Sequence, residues 1–353
     1  MAGARILGAE DLTPRGLAGP DRLQEIRQVA EQFAVAVTED VAELIHAQDD
    51  QDPIAAQFLP SRAELADAAE ELADPIGDER WSPVPGIVHR YPDRVLLKPI
   101  LLCPVYCRFC FRREVVGKNA AMLDRAALES ALGYVRERPQ IWEVIVTGGD
   151  PFLLAPRRIG KIVHALDQIP HLGVIRFHTR VPFADPRRVT STLVEALAAE
   201  KAVYVVIHAN HPRELTSKAR EAVLKLSRAG IPLLSQTVLL RGINDDAGVL
   251  EALFRGLAAM RVKPYYLHHC DLARGTSHFR TGVATGQRLV SHLRGRISGL
   301  CQPTYVLDIP GGYGKVPIAP CAITPNSSSG EWLVEDGAGG RHRYPADPCI
   351  AED

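Results

Sequence analysis

Apolar and polar positions follow two different patterns along the 353 residues of this chain. From about residue 94, short apolar runs rich in β-branched residues recur, and most are followed by a segment with helical periodicity. Buried strands that alternate with helices in this way form parallel sheets covered by helices. We predict six strands, at 94–102, 142–148, 173–179, 203–209, 232–240 and 263–269.

Five helices are predicted between these strands, at 124–138, 156–169, 185–200, 213–230 and 246–260. Six strands are too few for a closed eight-fold barrel, so the pattern predicts an α/β fold, a partial (β/α)6 barrel of the TIM type. The chemistry of such barrels lies at the carboxyl ends of the strands. We therefore expect one shared rim for His178, His208, Asn210, Gln236, His269, Cys270 and Asp271.

The first 80 residues have a helical pattern instead. Pro20 and Asp21 precede a long amphipathic stretch at 23–45, and Ser61 and Glu64 have capping-box spacing. Prolines between 53 and 85 divide this region into several helices and turns. We predict three parts, which are an N-terminal helical region at 1–80, the barrel at 81–290 and a C-terminal segment at 291–353.

Composition narrows the class of protein. Hydrophobic residues make up 46% and charged residues 24% of the chain, with a net charge of −1, which suits a globular enzyme and does not indicate a nucleic-acid or membrane partner. No apolar run has the length of a membrane span, and the N-terminus lacks the apolar core of a signal peptide. The chain is therefore expected in the cytoplasm. Its seven cysteines are odd in number and unevenly spaced, unlike a disulfide framework.

Cys103, Cys107 and Cys110 form a CxxxCxxC run directly after the first predicted strand. Cysteine thiolates hold iron–sulfur clusters, and three of them on a four-iron cube leave one iron open for a ligand. This spacing is the signature of enzymes that generate a radical from S-adenosylmethionine (SAM). The alternatives are a zinc site or three buried thiols, but structural zinc needs four ligands and usually shows paired spacings.

Three further motifs carry possible chemistry. Arg112 and Arg113 follow the cysteines, and a guanidinium binds a carboxylate in a bidentate manner, although a surface pair is an equal alternative. The Gly148–Asp150 turn follows the second strand and lets backbone approach a ligand. A seventh short strand leads into a glycine-rich loop ending at Lys315. Such a loop can cradle a phosphate, and its lysine can bind pyridoxal 5′-phosphate (PLP). The alternative is that the loop is a surface turn with a solvated lysine.

These motifs, taken together and in this order, resemble the lysine 2,3-aminomutase family across about residues 50–322. The matching segments are PVPGIVHRYPDRVLLKPILLCPVYCRFCFRR, VTGGD, HANHP, SQTVLLRGIND, YYLHHCDLARGTSHFRT and YVLDIPGGYGKVPI. That family combines a radical SAM cluster with PLP in one active site. The resemblance therefore implies a barrel of the radical SAM type followed by a PLP-binding segment.

The resemblance also implies roles for individual residues. Cys103, Cys107 and Cys110 match the ligands of a [4Fe–4S] cluster, and Lys315 matches the catalytic lysine that binds PLP covalently. Seven further residues match positions that lie near PLP or SAM in that family: Arg90, Tyr91, Arg94, Gly148, Gly149, Asp150 and Gln236.

Three residues match the family's substrate site. Arg112 matches the arginine that pairs with the substrate α-carboxylate. Asp271 and Asp308 match two aspartates that bind the distal ammonium of lysine. Two converging carboxylates need a cation to offset their desolvation and repulsion, and the side chain of lysine supplies one.

The implied activity is that of an isomerase, an L-lysine 2,3-aminomutase that shifts the amino group from C2 to C3 and releases β-lysine. Its implied partners are the small-molecule substrate, an external electron donor such as flavodoxin or ferredoxin, and other copies of the chain in a homo-oligomer. A second hypothesis is that the β-lysine serves the modification of elongation factor P. A third is a non-catalytic iron–sulfur protein.

The cysteines outside the motif differ from those of family members that bind zinc. The loop at 241–246 contains no cysteine, and Cys321 and Cys349 are far apart, so no structural zinc is expected. Cys270 and Cys301 are interpreted as small buried hydrophobic residues.

Overall fold

The computed structural model describes residues 5–66, 68–117, 122–325, 331–336 and 339–345. Its strands are β1 (Ile6–Leu7), β2 (Val37–Thr38), β3 (Ile87–Tyr91), β4 (Arg94–Ile100), β5 (Glu143–Gly148), β6 (Val174–Thr179), β7 (Ala202–His208), β8 (Leu233–Leu239), β9 (Val262–His269), β10 (Thr304–Ile309), β11 (Gly314–Pro317), β12 (Ile323–Pro325), β13 (Trp332–Glu335) and β14 (Arg341–Tyr344). Its helices are α1 (Ala9–Leu12), α2 (Leu23–Gln32), α3 (Glu39–Ala42), α4 (Ala55–Phe58), α5 (Arg125–Arg136), α6 (Pro156–Asp167), α7 (Val181–Ala184), α8 (Ser191–Glu195), α9 (Ser217–Arg228), α10 (Ala247–Ala259) and α11 (Val283–Leu293).

Nine consecutive strands, β3 to β11, form one sheet in chain order. Neighbours from β4 to β10 are parallel, whereas β3 and β11 are antiparallel to their neighbours at the two edges. Strands β4 to β9 are the six predicted strands, each within two residues of its expected bounds. The partial-barrel prediction is confirmed, and β3 and β11 extend it on both sides.

Alternation along the strands separates the helix-covered core from the interior of the barrel. In β5, Val144 and Val146 belong to the main core cluster, whereas Ile145 and Thr147 line an interior cavity. The helices bury one stripe against this core, as α6 does with four residues spaced three and four apart: Ile159, Ile162, Val163 and Leu166. Each such side chain contributes about 1.5–3 kcal/mol of transfer free energy.

Two of the predicted helices are wrong as continuous elements. The stretch at 23–45 is α2, then β2, then α3, because Phe33 is extended and β2 pairs with β1, burying Val37. The Thr38 hydroxyl then accepts from the Val41 N–H and begins α3. The predicted helix at 185–200 is reduced to α8, since Thr190 caps a new start there.

The predicted three-part division stays a prediction, and the contacts link its parts closely. The N-terminal region has its own apolar cluster, which includes Ile26, Val37 and Phe58 and packs against Val105 of the cysteine loop. Helix α11 spans the predicted boundary at residue 290, and β10 and β11 extend the barrel sheet. Among the residues with described positions, no helix is long and apolar enough to cross a membrane.

Candidate active site

The barrel encloses a cavity of about 710 Å³, to which each strand from β3 to β11 contributes lining residues. All fourteen residues predicted for the site line it: Arg90, Tyr91, Arg94, Cys103, Cys107, Cys110, Arg112, Gly148, Gly149, Asp150, Gln236, Asp271, Asp308 and Lys315. The cavity reaches from the cysteine loop to Arg94 and Trp142 at the amino ends of β4 and β5. It is therefore deeper than the rim that the strand pattern predicts.

Three of the expected rim residues lie outside the cavity lining. Asn210 is fully buried, and its side chain hydrogen-bonds Gln57 and the Val238 N–H. His269 hydrogen-bonds the Tyr305 hydroxyl at 2.7 Å. Cys270 is buried, as is Cys301, which confirms that these two act as small hydrophobic residues. Side chains at a strand end face alternate sides, so not every polar residue there reaches the interior.

The glycines after β5 are required by close backbone packing. A Cβ on Gly149 would lie 2.2 Å from the Leu102 carbonyl oxygen, and Gly148 has a φ of 110°. The Gly149 N–H donates to Ile100 and the Asp150 N–H to Leu102, which holds the segment just before Cys103. The turn thereby positions the cysteine loop.

The Asp150 carboxylate accepts hydrogen bonds from its own turn after β5 and from the end of β6 and the residues that follow it. It accepts hydrogen bonds from the Thr179 hydroxyl and from the backbone N–H groups of Phe152, Arg180 and Val181. Asp150 therefore links the turns after β5 and β6, and this is a positioning role beside the predicted SAM site.

The cysteine triad fits a thiolate-bound cluster. Burial raises the pKa of all three thiols, and that of Cys110 to about 11. Bound metal reverses this by stabilising the thiolates. Within the described ranges, no three His, Cys, Asp or Glu side chains converge on a single metal ion, and Cys349 lies outside those ranges. A four-iron cube spreads its ligands over three irons, so the triad suits a cluster.

A buried carboxylate holds the cysteine loop in a way that sequence reasoning missed. Glu64, with a fully buried side chain, pairs with both Arg108 and Arg113, and its own backbone turn is capped by Ser61. Arg108 also donates to the Ala34 carbonyl at 2.8 Å. The capping-box spacing predicted a helix-capping role for Glu64, but no local sequence pattern indicated its two arginine partners.

Replacing Glu64 by glutamine is expected to lower the free energy of unfolding by about 3–5 kcal/mol, since two buried guanidinium groups lose their counter-charge. Anaerobic urea denaturation measures this loss. The matched control is Glu10→Gln, which breaks an exposed ion pair with Arg27 and should leave the midpoint unchanged. Equal midpoints for the two variants would contradict the assigned role of Glu64.

Arg112 is held at one side of the cavity by Asp78. Its Nε donates to Asp78 Oδ2 at 2.7 Å, and Lys98 Nζ lies 3.5 Å from the same oxygen. Among the described residues, the Nη atoms of Arg112 form no hydrogen bond, so they remain available to a ligand. Asp78 thus orients the guanidinium without occupying its bidentate edge.

An ionic cluster lies on β9, β10 and β11. Lys315 Nζ is ion-paired with Asp308 Oδ2, and His268 Nδ1 lies 3.4 Å from that Nζ. Burial opposes ionisation of Asp308, but the hydrogen bond with His268 and the charge of Lys315 hold its pKa well below the usual range. Burial and the charge of Asp308 raise the pKa of Asp271 to about 7.

Cationic and aromatic side chains surround the rest of the cavity. The Arg94 guanidinium stacks on Tyr91 at 3.8 Å, and the Tyr91 hydroxyl accepts from the Lys315 N–H at 2.8 Å. Arg90 donates to the Ile76 carbonyl, and its buried Nε has no partner among the described residues. Sequence reasoning missed Arg176, which lines the same cavity. Arg90 also pairs with Asp308, Arg94 with Asp93 and Arg176 with Glu143, so their positive charge is partly compensated.

The glycine-rich loop before Lys315 has a packing function. Gly311 and Gly312 have φ values of 83° and 84°, and their backbones lie against Gly77 and Trp81. The Trp81 Nε1–H donates to the Gly312 carbonyl at 3.2 Å. These glycines are not among the lining residues of the cavity, and the phosphate cradle suggested by the sequence stays a prediction.

Comparison with known proteins identifies the family. The radical SAM superfamily model matches residues 97–252, and a lysine-2,3-aminomutase model matches residues 290–334. The L-lysine 2,3-aminomutase of Acetoanaerobium sticklandii is 39% identical over 90% of this chain and 76% of its own length. That of Clostridium subterminale is 40% identical over 84% of this chain and 71% of its own. A glutamate 2,3-aminomutase of Clostridioides difficile is also 39% identical, over 84% of this chain and 70% of its own.

The predicted family resemblance is thereby confirmed. Its relatives are named as enzymes of the isomerase class, so the non-catalytic alternative is not retained. The radical SAM match carries with it an iron–sulfur cluster and SAM. The chain belongs to the lysine 2,3-aminomutase family of radical SAM enzymes.

Proposed function

We propose that this protein is an L-lysine 2,3-aminomutase that forms β-lysine and holds PLP through Lys315. The observation that carries the choice of lysine is the ion pair of Lys315 with Asp308, beside Asp271. Asp308 already pairs with an alkylammonium group, and Asp271 lines the same cavity. The site therefore suits a substrate that ends in an ammonium group.

The residues around Lys315 fit PLP. Lys315 lines a cavity that Arg90, Arg94 and Arg176 also line, and the N–H groups of these arginines would donate to the phosphate. When bound, PLP supplies a conjugated ring that stabilises the radical during the amino shift, and SAM supplies the radical that removes hydrogen from C3.

The chain's own residues position the substrate between these groups. Arg112, oriented by Asp78, would bind the α-carboxylate, and Asp271 and Asp308 the distal ammonium. Holding both ends of lysine fixes C3 relative to the radical source and lowers the entropic part of the barrier.

Glutamate is the main competing substrate because one relative acts on it. Its side-chain carboxylate would meet Asp271 and Asp308 and be repelled. Lysine is therefore favoured. A role in elongation factor P modification, the electron donor, the homo-oligomer and the cytoplasmic location stay predictions.

The test is an anaerobic assay of the cluster-loaded protein with SAM, PLP, dithionite and either L-lysine or L-glutamate. Chiral mass spectrometry identifies the products. Formation of β-lysine supports the proposal, and its R or S configuration separates supply for elongation factor P from a free metabolite. SAM cleavage with unchanged lysine, or formation of β-glutamate, would contradict it.

The pH dependence of lysine binding tests Asp271. Its raised pKa of about 7 means that the carboxylate is neutral below this pH and ionised above it. We expect the KM for lysine to fall about tenfold as the pH rises from about 6 to about 8, because only the ionised form binds ammonium strongly. Asp271→Asn should flatten this profile. An unchanged profile in that variant would assign the titration to another group.

A further inference from the structure

Arg180 directly follows β6 and lines the cavity beside the cysteine loop. Its Nη1 donates to the Sγ atom of Cys107 at 3.0 Å. Among the described contacts of the three motif cysteines, Cys107 is the one whose sulfur has a hydrogen bond from a charged side chain. Radical chemistry at the open iron does not itself require such a group.

The surroundings of Arg180 hold its guanidinium in place. Nη2 donates to Glu214 Oε2 and to Gln57 Oε1, both at 2.7 Å. The backbone N–H donates to Asp150, and the guanidinium lies 4.5 Å from the Phe58 ring centroid. Arg180 is 6% exposed. The side chain is therefore fixed by α4, by the turn after β5 and by the loop after β7.

The geometry separates two functions of the guanidinium. Glu214 meets it through Nη2 and accepts two further backbone N–H groups, from Asn210 and His211, whereas Nη1 is left to the sulfur. The charge is thus compensated on the side away from Cys107. A purely structural ion pair would not need the contact with sulfur.

We propose that Arg180 is a positioning residue that orients Cys107 and raises the reduction potential of the bound cluster. One electron from an external one-electron donor takes the [4Fe–4S] cluster from the 2+ to the 1+ state without a proton transfer. Hydrogen bonds to cluster sulfurs, and nearby positive charge, favour the more electron-rich state. The inference rests on the cluster assigned under the proposed function but not on PLP or on the identity of the substrate.

The test is a redox titration with dithionite of the reconstituted holoprotein, followed by electron paramagnetic resonance of the reduced cluster. Arg180→Gln is expected to lower the ratio of reduced to oxidised cluster about tenfold at a fixed potential, equal to about 59 mV for one electron. Arg180→Lys should lie between this variant and the wild type. The matched control is Arg187→Gln, because Arg187 is half exposed and pairs with Asp40 away from the cysteines.

Glu214→Gln provides a second measurement with the opposite sign. It removes the carboxylate that compensates Arg180, so the cluster potential should rise. Equal potentials for the wild type, Arg180→Gln and Arg180→Lys at full iron occupancy would overturn the inference. A change in SAM affinity alone, with the potential unchanged, would also overturn it. If Arg180→Gln binds no iron, the cluster potentials of Arg180→Lys and Glu214→Gln test the inference instead. Potentials equal to that of the wild type in both variants would overturn it. A wild-type protein that takes up no cluster would instead contradict the proposed function.

Discussion

Replacing Lys315 by alanine is expected to abolish formation of β-lysine while leaving the iron–sulfur cluster in place. Lys315 lines the barrel cavity, and its amine lies 3.4 Å from His268 Nδ1 and is ion-paired with Asp308. Loss of the group that holds PLP should reduce turnover by at least about 10³-fold, within the range for removal of a chemically essential side chain. The visible absorbance of bound PLP should disappear, while the cluster's iron content stays at the wild-type level.

Lys263→Ala is the matched control for this variant. Lys263 also lies on the barrel sheet, but its amine donates to backbone carbonyls of Pro264, Gly299 and Gln302. It should retain PLP and activity. Borohydride reduction of the wild-type protein, followed by peptide mapping, locates the attachment directly. A pyridoxyl group on another lysine, or unaltered turnover of Lys315→Ala, would refute the assignment.

Replacing Asp308 by alanine is expected to weaken the use of lysine far more than the reductive cleavage of SAM. Removing one partner of a buried charge pair costs about 2–5 kcal/mol, so kcat/KM for lysine should fall between about 30-fold and several thousand-fold. Cleavage of SAM depends on the cysteine loop, which Asp308 does not contact in the described structure. The measurement compares β-lysine formation with 5′-deoxyadenosine release in the same samples.

Because Asp308 also pairs with Lys315, its variant needs a check on PLP binding. The absorbance of bound PLP separates loss of the cofactor from loss of substrate affinity. Asp271→Asn is the companion variant, since Asp271 lines the cavity and, among the described residues, forms no ion pair with Lys315. Equal loss of lysine turnover and SAM cleavage in Asp308→Ala would show that Asp308 does not select the substrate.

Local pattern was sufficient for the central strands. In β4 to β9, runs of apolar β-branched residues are flanked by helical periodicity, and both signals are carried by residues close in sequence. The hydrophobic pattern did not predict the end of a helix where no glycine or proline marks it, as at Phe33 between α2 and β2. It also missed β3, which contains the polar residues His89 and Arg90 and forms by pairing with β4.

Motif spacing and the family resemblance together named residues that all line one cavity, but they did not explain how these residues are held. The cysteine run and Lys315 could be found from the sequence because residue type and spacing indicate their chemistry. Asp271 and Asp308 lie near the carboxyl ends of β9 and β10, and the parallel pairing of those strands brings them into one cavity. Their convergence therefore followed from the predicted fold together with the family resemblance.

The sequence alone determined the six central strands, the cluster motif and the family, because each depends on local periodicity or on the spacing of a few residues. Only the tertiary structure decided which charges support the site. Glu64 holds Arg108 and Arg113, Asp78 orients Arg112, and Arg180 contacts Cys107. Each pair joins segments at least 34 residues apart. A buried charge takes the partner that the folded backbone places beside it, and no local pattern encodes that choice.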